Sequence, residues 1–229
     1  MSRDRDEFFR RRKGRKKKRG EAIRQPEPDR YLIVTEGEET ETNYFEGMKR
    51  KINAQYANRI TQIRIDIEGT GRNTNSLVHF VEKIMNRSVN PYSRIWVVFD
   101  KDDFSDDQFN SAIAQAESKG YQVGWTNEAF ELWFLLHFEY LNSGISREQY
   151  IEKLTGYLSS RGVLKKGDKY DKNMAYIYEI LMEHGDMERA IGNCKKLIEM
   201  HEANGEHSYA RMNPASTVYK LVEELKEYL

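Results

Sequence analysis

The chain has 229 residues, enough for one α/β domain with a modest extension, and its single cysteine, Cys194, excludes an internal disulfide and a multi-cysteine zinc site. Its 37 basic and 37 acidic side chains cancel, but residues 1–19 carry 11 basic and 3 acidic ones, so the remainder has an excess of acidic groups. A membrane span needs roughly 18 apolar residues in succession, and the most apolar run, residues 129–134, is interrupted by Glu131.

Residues 1–26 are predicted to form a disordered basic tail, because they contain few apolar residues and are followed by the prolines at 26 and 28. The start of the chain lacks an apolar signal-peptide core, so we expect a soluble, cytoplasmic protein. Arg11, Lys16 and Lys17 are candidate contacts to nucleic-acid phosphates. The same tail is also compatible with a solubilising arm or with a docking segment for a partner protein.

Residues 27–142 alternate between predicted strands and helices. Apolar or alternating runs predict strands at 31–35, 60–67, 94–99 and 121–125. Apolar residues at helical spacing predict helices near 42–51, 77–86, 109–116 and 128–138. This order predicts a parallel sheet of about four strands that is flanked by helices.

Residues 143–229 show no strand pattern and are predicted to be an all-helical region that packs on the α/β domain. The predicted helices span 146–160, 172–183, 187–204 and 214–229. Asn213 and Pro214 are predicted to be the cap and the first residue of the last helix, because these residue types favour those positions.

Carboxylates follow three of the four predicted strands. In an open parallel sheet, binding sites form beyond the carboxyl ends of the strands. The acidic residues in question are Glu36 and Glu41 after the first strand, Asp100, Asp102 and Asp103 after the third, and Glu131 after the fourth. Several carboxylates held together repel one another, and oxygen ligands favour Mg²⁺ or Mn²⁺, so we expect one or two such ions.

Each acidic segment also has a simpler explanation. Asp100 and Asp102 could lie in an exposed turn, and the run from Glu36 to Glu41 could be the solvated start of a helix, where carboxylates suit the helix dipole. Glu131, which lies between two apolar residues, could pair with an arginine.

A glycine-rich loop follows the second predicted strand. Gly69 and Gly71 are not followed by the third glycine of a dinucleotide-binding fingerprint, so a dinucleotide-binding site is not predicted here. The loop could bind a phosphate, or it could be a plain turn. The candidate phosphate-binding residues here and after the third strand are Arg72, Asn73, Thr74 and Lys101, and a lysine of the helical region such as Lys165 or Lys166 is a further candidate.

Several segments, taken in order, resemble the RloB family. They are LIVTEGEETETNYF at 32–45, EGTGRNT at 68–74, VVFDKDDF at 97–104, NEAFELW at 127–133, HFE at 137–139 and NPAST at 213–217. The resemblance implies a Toprim-like α/β domain, related to that of OLD-type nucleases, and an RloA-type ATPase as a partner in phage defence. A homo-oligomer is compatible with it.

The resemblance also implies roles for individual residues. Glu36 would be a metal ligand or the general acid/base, and Glu41 the second acidic position of the OLD-like branch. Asp100 and Asp102 would be catalytic metal ligands, with Asp103 beside them. Glu131 would be a ligand of a second metal or a supporting group.

The leading hypothesis is therefore a Mg²⁺- or Mn²⁺-dependent nuclease that hydrolyses DNA or RNA in anti-phage defence, acting with a partner ATPase. Two alternatives remain. The chain could be a non-catalytic subunit that binds metal and nucleic acid, or it could be a phosphatase of the kind that carries Asp-x-Asp after a strand. Phe104 argues against the phosphatase, because haloacid-dehalogenase-type enzymes usually have Thr or Val at that position and place the motif on their first strand.

Overall fold

A computed structural model describes residues 29–56, 63–71, 74–102 and 104–229. The predicted basic tail with Arg11, Lys16 and Lys17 lies outside the described residues, and so do Arg72, Asn73 and Asp103. The backbone of Thr74 is described but its side chain is not.

The predicted parallel sheet is confirmed. Its strands are β1 (Asp29–Thr35), β2 (Ile63–Gly69), β3 (Arg94–Asp100) and β4 (Gln122–Thr126). They lie in the order β2-β1-β3-β4, and every neighbouring pair is parallel. The chain leaves β1 towards β2 on one side and then crosses to β3 on the other. The strand order therefore reverses between β1 and β3, which is where open α/β sheets bind their ligands.

Helices flank the sheet and form the C-terminal region, as predicted. In the described part of the chain they are α1 (Thr40–Gln55), α2 (Thr74–Arg87), α3 (Asp106–Ser118), α4 (Glu131–Leu136), α5 (Arg147–Ser160), α6 (Ile177–His184), α7 (Met187–Ala203) and α8 (Val218–Lys226). A short 3₁₀ turn covers Tyr209–Arg211. None of these helices combines the length and the apolar character needed to cross a bilayer.

Both faces of the sheet are buried, which explains why β1 is a continuous apolar run rather than an alternating one. Tyr31 and Ile33 point to one side and pack with α1 and the helices from α4 to α8. Leu32 and Val34 point to the other side and pack with α2 and α3. The C-terminal helices therefore share a hydrophobic core with the sheet.

The helix predicted at 128–138 is shorter than expected. α4 begins only at Glu131, because Glu128 has a φ of +74°, a left-handed conformation that does not belong in a helix. The turn thus formed brings the backbone N–H of Phe130 to the end of β3.

The prediction that Asn213 and Pro214 start the last helix is wrong. Their peptide bond is cis, and α8 begins at Val218. The intervening segment 215–217 instead pairs with the end of β4: the N–H of Asn127 donates to the carbonyl of Ala215, and the N–H of Thr217 donates to the carbonyl of Trp125. Hydrogen bonds to the sheet thus replace a helical turn at these residues.

Candidate functional site

A cavity of about 470 Å³ opens beyond the carboxyl ends of β1 and β3. The helical region closes its far side, because α5 and the loop before α6 contribute to its wall. Carboxyl groups dominate the lining, and they belong to Glu36, Glu41, Asp100, Asp102, Glu131 and Asp171. Two cationic side chains of the described residues, Arg147 and Lys172, also line it. Five of the six predicted metal ligands therefore meet in one place, and the sixth, Asp103, lies outside the described residues.

Glu36 and Glu41 enter the cavity from the segment that joins β1 to α1. The N–H of Glu36 donates to the carbonyl of Val98 at 2.9 Å, so this residue extends the pairing of β1 with β3. Glu41 lies in the first turn of α1 and is only 5% exposed. Burial, reinforced by the nearby charge of Glu131, raises the pKa of Glu41 to about 7.

Gly37 allows this close arrangement. A Cβ atom at position 37 would lie 2.3 Å from Oε2 of Glu41, well inside contact distance. The backbone of Gly37 instead provides a hydrogen bond that favours the ionised form of Glu41. The glycine after Glu36 therefore serves the placement of Glu41.

Asp100 is the last residue of β3 and lies at the centre of the acidic group. Its Oδ2 accepts a hydrogen bond from the N–H of Phe130 at 2.8 Å. Its Oδ1 is buried and has no hydrogen-bond partner. Burial and the charges of Glu41, Glu131 and Glu36 raise the pKa of Asp100 well above its ordinary value. An unsatisfied carboxylate oxygen at this depth is costly unless a ligand uses it.

Asp102 has a φ of +39°, an uncommon conformation for a residue other than glycine. Its Oδ2 forms an ion pair with Nη1 of Arg147 at 3.3 Å. Lys101, predicted to bind phosphate, does not line the cavity: its Nζ pairs with Asp106 at 3.4 Å. Lys165 and Lys166 do not line the cavity either.

Glu131 begins α4 and is 7% exposed. The hydroxyl of Tyr170 lies 3.4 Å from its Oε1. Burial raises the pKa of Glu131, and the nearby charges of Arg147 and Lys172 partly oppose that rise. The simpler explanation of Glu131 was that it pairs with an arginine. The structure supports this only in part, since Arg147 acts on Glu131 through its charge.

The described residues of the predicted glycine-rich loop, 69–71, do not line the cavity. The N–H of Thr70 donates to the carbonyl of Thr35, and a Cβ at Gly69 would lie 3.0 Å from the Cα of Glu38. These described residues therefore pack against the acidic segment after β1. The role of Arg72, Asn73 and Thr74 in binding phosphate stays a prediction.

Reasoning from strand ends missed the five cavity residues that the helical region contributes. They are Arg147, Ile151, Tyr170, Asp171 and Lys172, and all of them lie far along the chain from the sheet. One signal for Arg147 was present in the sequence: it follows a serine helix cap, where a cation opposes the helix dipole. Nothing in the local sequence distinguishes Tyr170 or Lys172.

The donor set suits a hard divalent cation. In the described part of the chain, no three His, Cys, Asp or Glu side chains are already arranged as a metal cage. Mg²⁺ does not require such a cage, because it is usually held by one or two carboxylates, with water and substrate phosphate as the other ligands. Asp100 offers an unused buried oxygen, and Glu36 and Asp102 share its cavity. Asp100 and Asp102 would hold the ion, with Glu36, Glu41 and Glu131 beside them.

Comparisons with known proteins identify the family of the chain. The search of curated proteins found no significant match, and neither did the search of solved structures. The family model described as RloB-like protein matches residues 31–225, which include every described residue of the cavity. The chain therefore belongs to the RloB-like protein family.

Proposed function

We propose that this protein is a metal-dependent nuclease that hydrolyses phosphodiester bonds in DNA or RNA. One observation carries the proposal: the buried, unpartnered Oδ1 of Asp100 lies in a cavity that also contains Glu36, Glu41, Asp102 and Glu131. Carboxylates that repel one another at a strand-order reversal are well suited to holding Mg²⁺ or Mn²⁺.

Each residue has a distinct role in the proposed reaction. When bound, the metal ion would polarise the scissile phosphate and lower the pKa of a bound water. Asp100 and Asp102, at the end of β3, are the residues that would hold this ion. Glu36 takes the proton of the attacking water, because it is partly exposed at the cavity and its backbone is anchored to β3. Tyr170 orients Glu131 by hydrogen bonding.

Membership of the RloB-like family supports a wider proposal about context. The protein would act in the cytoplasm in anti-phage defence, and an RloA-type ATPase would license its cleavage. The segregation of charge fits this proposal, since an acidic cavity repels nucleic acid until cations neutralise it, while the basic residues near the start of the chain attract phosphate.

A cleavage assay tests the function directly. The purified chain is incubated with plasmid, single-stranded DNA or total tRNA, in Mg²⁺, Mn²⁺ or EDTA. Glu36→Gln and Asp100→Asn are the test variants, and Glu223→Gln is the control, because Glu223 forms an exposed ion pair with Lys195 outside the cavity. We expect cleavage that needs metal, vanishes in both test variants and persists in the control.

Other results would support the alternatives. Saturable Mn²⁺ binding without cleavage, even when an RloA-type ATPase is added, would indicate a binding subunit. Hydrolysis of p-nitrophenyl phosphate but not of bis(p-nitrophenyl) phosphate would indicate a phosphatase, because only the second compound is a phosphodiester.

A further inference from the structure

Arg147 is a cationic residue that the helical region contributes to the acidic cavity. It is the first residue of α5, and its side chain is 40% exposed. Nη1 lies 3.3 Å from Asp102. The charges of Asp102, Asp100 and Glu131 also act on it. Arg147 therefore faces the proposed metal ligands from the side opposite the sheet.

The position of Arg147 does not serve the stability of its own helix. A cation in the first turn is unfavourable by about 0.3–1 kcal/mol, because the helix dipole is positive there. The N–H of Ser146 already donates to the side chain of Gln149 at 2.9 Å at this end of α5, so the helix start has no need of an arginine. The interactions that favour Arg147 are those with the carboxylates of the cavity.

The chemistry of the side chain indicates what it binds besides Asp102. A guanidinium presents a planar fork of N–H donors that matches the oxygens of a phosphate. Arg147 also lies on the same cavity wall as Ile151, next to the end of β3, where a substrate phosphate would meet the metal ligands. The second cation of the described lining, Lys172, is more exposed at 68% and pairs with Glu39.

We propose that Arg147 is the phosphate-binding residue of this cavity and that Asp102 holds it until a divalent cation engages that carboxylate. The proposal rests on the proposed function and adds to it an exchange of partners. Without metal, Arg147 neutralises Asp102. With metal, Asp102 turns to the ion, and the released guanidinium binds a non-bridging oxygen of the phosphodiester.

The exchange predicts opposite effects on two ligands. Arg147→Gln removes the competitor for Asp102, so Mn²⁺ measured by electron paramagnetic resonance should bind about twofold to fivefold more tightly, as expected for loss of a half-exposed ion pair. Inorganic phosphate, followed by the relaxation of its ³¹P signal by bound Mn²⁺, should bind at least about tenfold more weakly, because a charge-assisted hydrogen bond is lost. Arg147→Lys should lie between the wild type and Arg147→Gln in both measurements.

Arg50→Gln is the matched control. Arg50 pairs with Glu179 at 2.9 Å, and the exposure of that pair is close to that of Arg147 and Asp102, but it lies outside the cavity. This variant should bind Mn²⁺ and phosphate like the wild type. Thermal unfolding monitored by circular dichroism reports whether each variant remains folded.

The outcomes separate this inference from the proposed function. If Arg147→Gln weakens the binding of both Mn²⁺ and phosphate, or changes neither affinity, then Arg147 has only a structural role. The inference is then wrong, while the proposed metal site stands. If the wild type fails to bind Mn²⁺ saturably, the proposed function and the inference both fail.

Discussion

Asp100 accepts a hydrogen bond from the backbone N–H of Phe130 at 2.8 Å, and this bond joins the end of β3 to the turn before α4. It holds one carboxylate oxygen in place and leaves the other, Oδ1, buried without a partner. The same turn carries Glu131 into the cavity. One side chain thus both fixes the shape of the site and supplies its unsatisfied oxygen.

The first prediction is that Asp100→Asn separates stability from function. The amide can still accept the hydrogen bond from Phe130, and it removes a buried charge that three other carboxylates repel. We expect the free energy of unfolding in EDTA near neutral pH to rise by about 1 kcal/mol, while metal-dependent cleavage falls by roughly 10²-fold or more. Urea unfolding and the cleavage assay provide the two measurements.

Asp106→Asn is the control for this prediction, because Asp106 is a half-exposed acidic residue that pairs with Lys101 and Arg211 and does not line the cavity. It should leave cleavage unchanged. A marked loss of stability in Asp100→Asn would contradict the view that repulsion among the clustered carboxylates destabilises the folded protein.

The second prediction concerns the pH dependence of stability. Burial raises the pKa of Glu41 from 4.5 to about 7 in the folded protein. Between these values the folded state binds more protons than the unfolded state, so the free energy of unfolding should fall as the pH rises from 4.5 to about 7, by at most about 3 kcal/mol. Asp100, whose pKa is also raised, contributes in the same direction.

Urea unfolding in EDTA across this pH range tests the prediction. Glu41→Gln should flatten the decline, Glu223→Gln should retain it, and saturating Mn²⁺ should restore stability at the upper end, since the ion stabilises the ionised carboxylates. If the stability of the wild type instead rises steadily with pH over this interval, the pKa of Glu41 is not raised in the metal-free protein.

Much of the site could be predicted because a parallel sheet gathers its strand ends along one edge. Glu36 directly follows the apolar strand β1, and Asp100 is the last residue of the apolar strand β3. The adjacency of the two strands in the sheet brings these residues together. The strand composition and the positions of the acidic residues are both local features of the sequence. The acidic half of the cavity therefore follows from local patterns combined with one rule about topology.

The cationic half could not be predicted in the same way. Arg147 and Lys172 reach the cavity through the packing of the helical region, and no local pattern encodes which face of α5 meets the sheet. The length of α4 was overestimated for a related reason: the left-handed residue Glu128 lies between Asn127 and Phe130, whose N–H groups bond to the distant residues Ala215 and Asp100. These features depend on contacts between segments that are distant in the chain.

The third prediction is that Gly37→Ala impairs the site without unfolding the protein. The added Cβ would clash with Oε2 of Glu41, which is the far end of a side chain and can move. We expect a loss of stability within about 1 kcal/mol, together with a clear reduction in Mn²⁺ affinity, because the Glu41 carboxylate is displaced. Gly156→Ala is the control, since a Cβ there meets no atom within 4 Å. Equal Mn²⁺ affinity in Gly37→Ala and the wild type would show that Glu41 does not take part in metal binding.

The last prediction assigns a structural role to the NPAST segment at 213–217. The hydroxyl of Thr217 accepts a hydrogen bond from the N–H of Trp125 at 3.0 Å and lies 3.2 Å from the carbonyl of Val123, and both contacts are buried. Thr217→Val keeps the shape of the side chain but leaves these backbone groups unsatisfied, so the free energy of unfolding should fall by about 1–3 kcal/mol.

Thr217→Ser is the matched control, because it keeps the hydroxyl and should retain most of the stability. Thr217→Val should still bind Mn²⁺ with wild-type affinity under conditions where it is folded, since Thr217 does not line the cavity. A loss of Mn²⁺ affinity in the folded variant would instead show that the end of β4, and with it the turn that carries Phe130 and Glu131, depends on this segment for its active geometry.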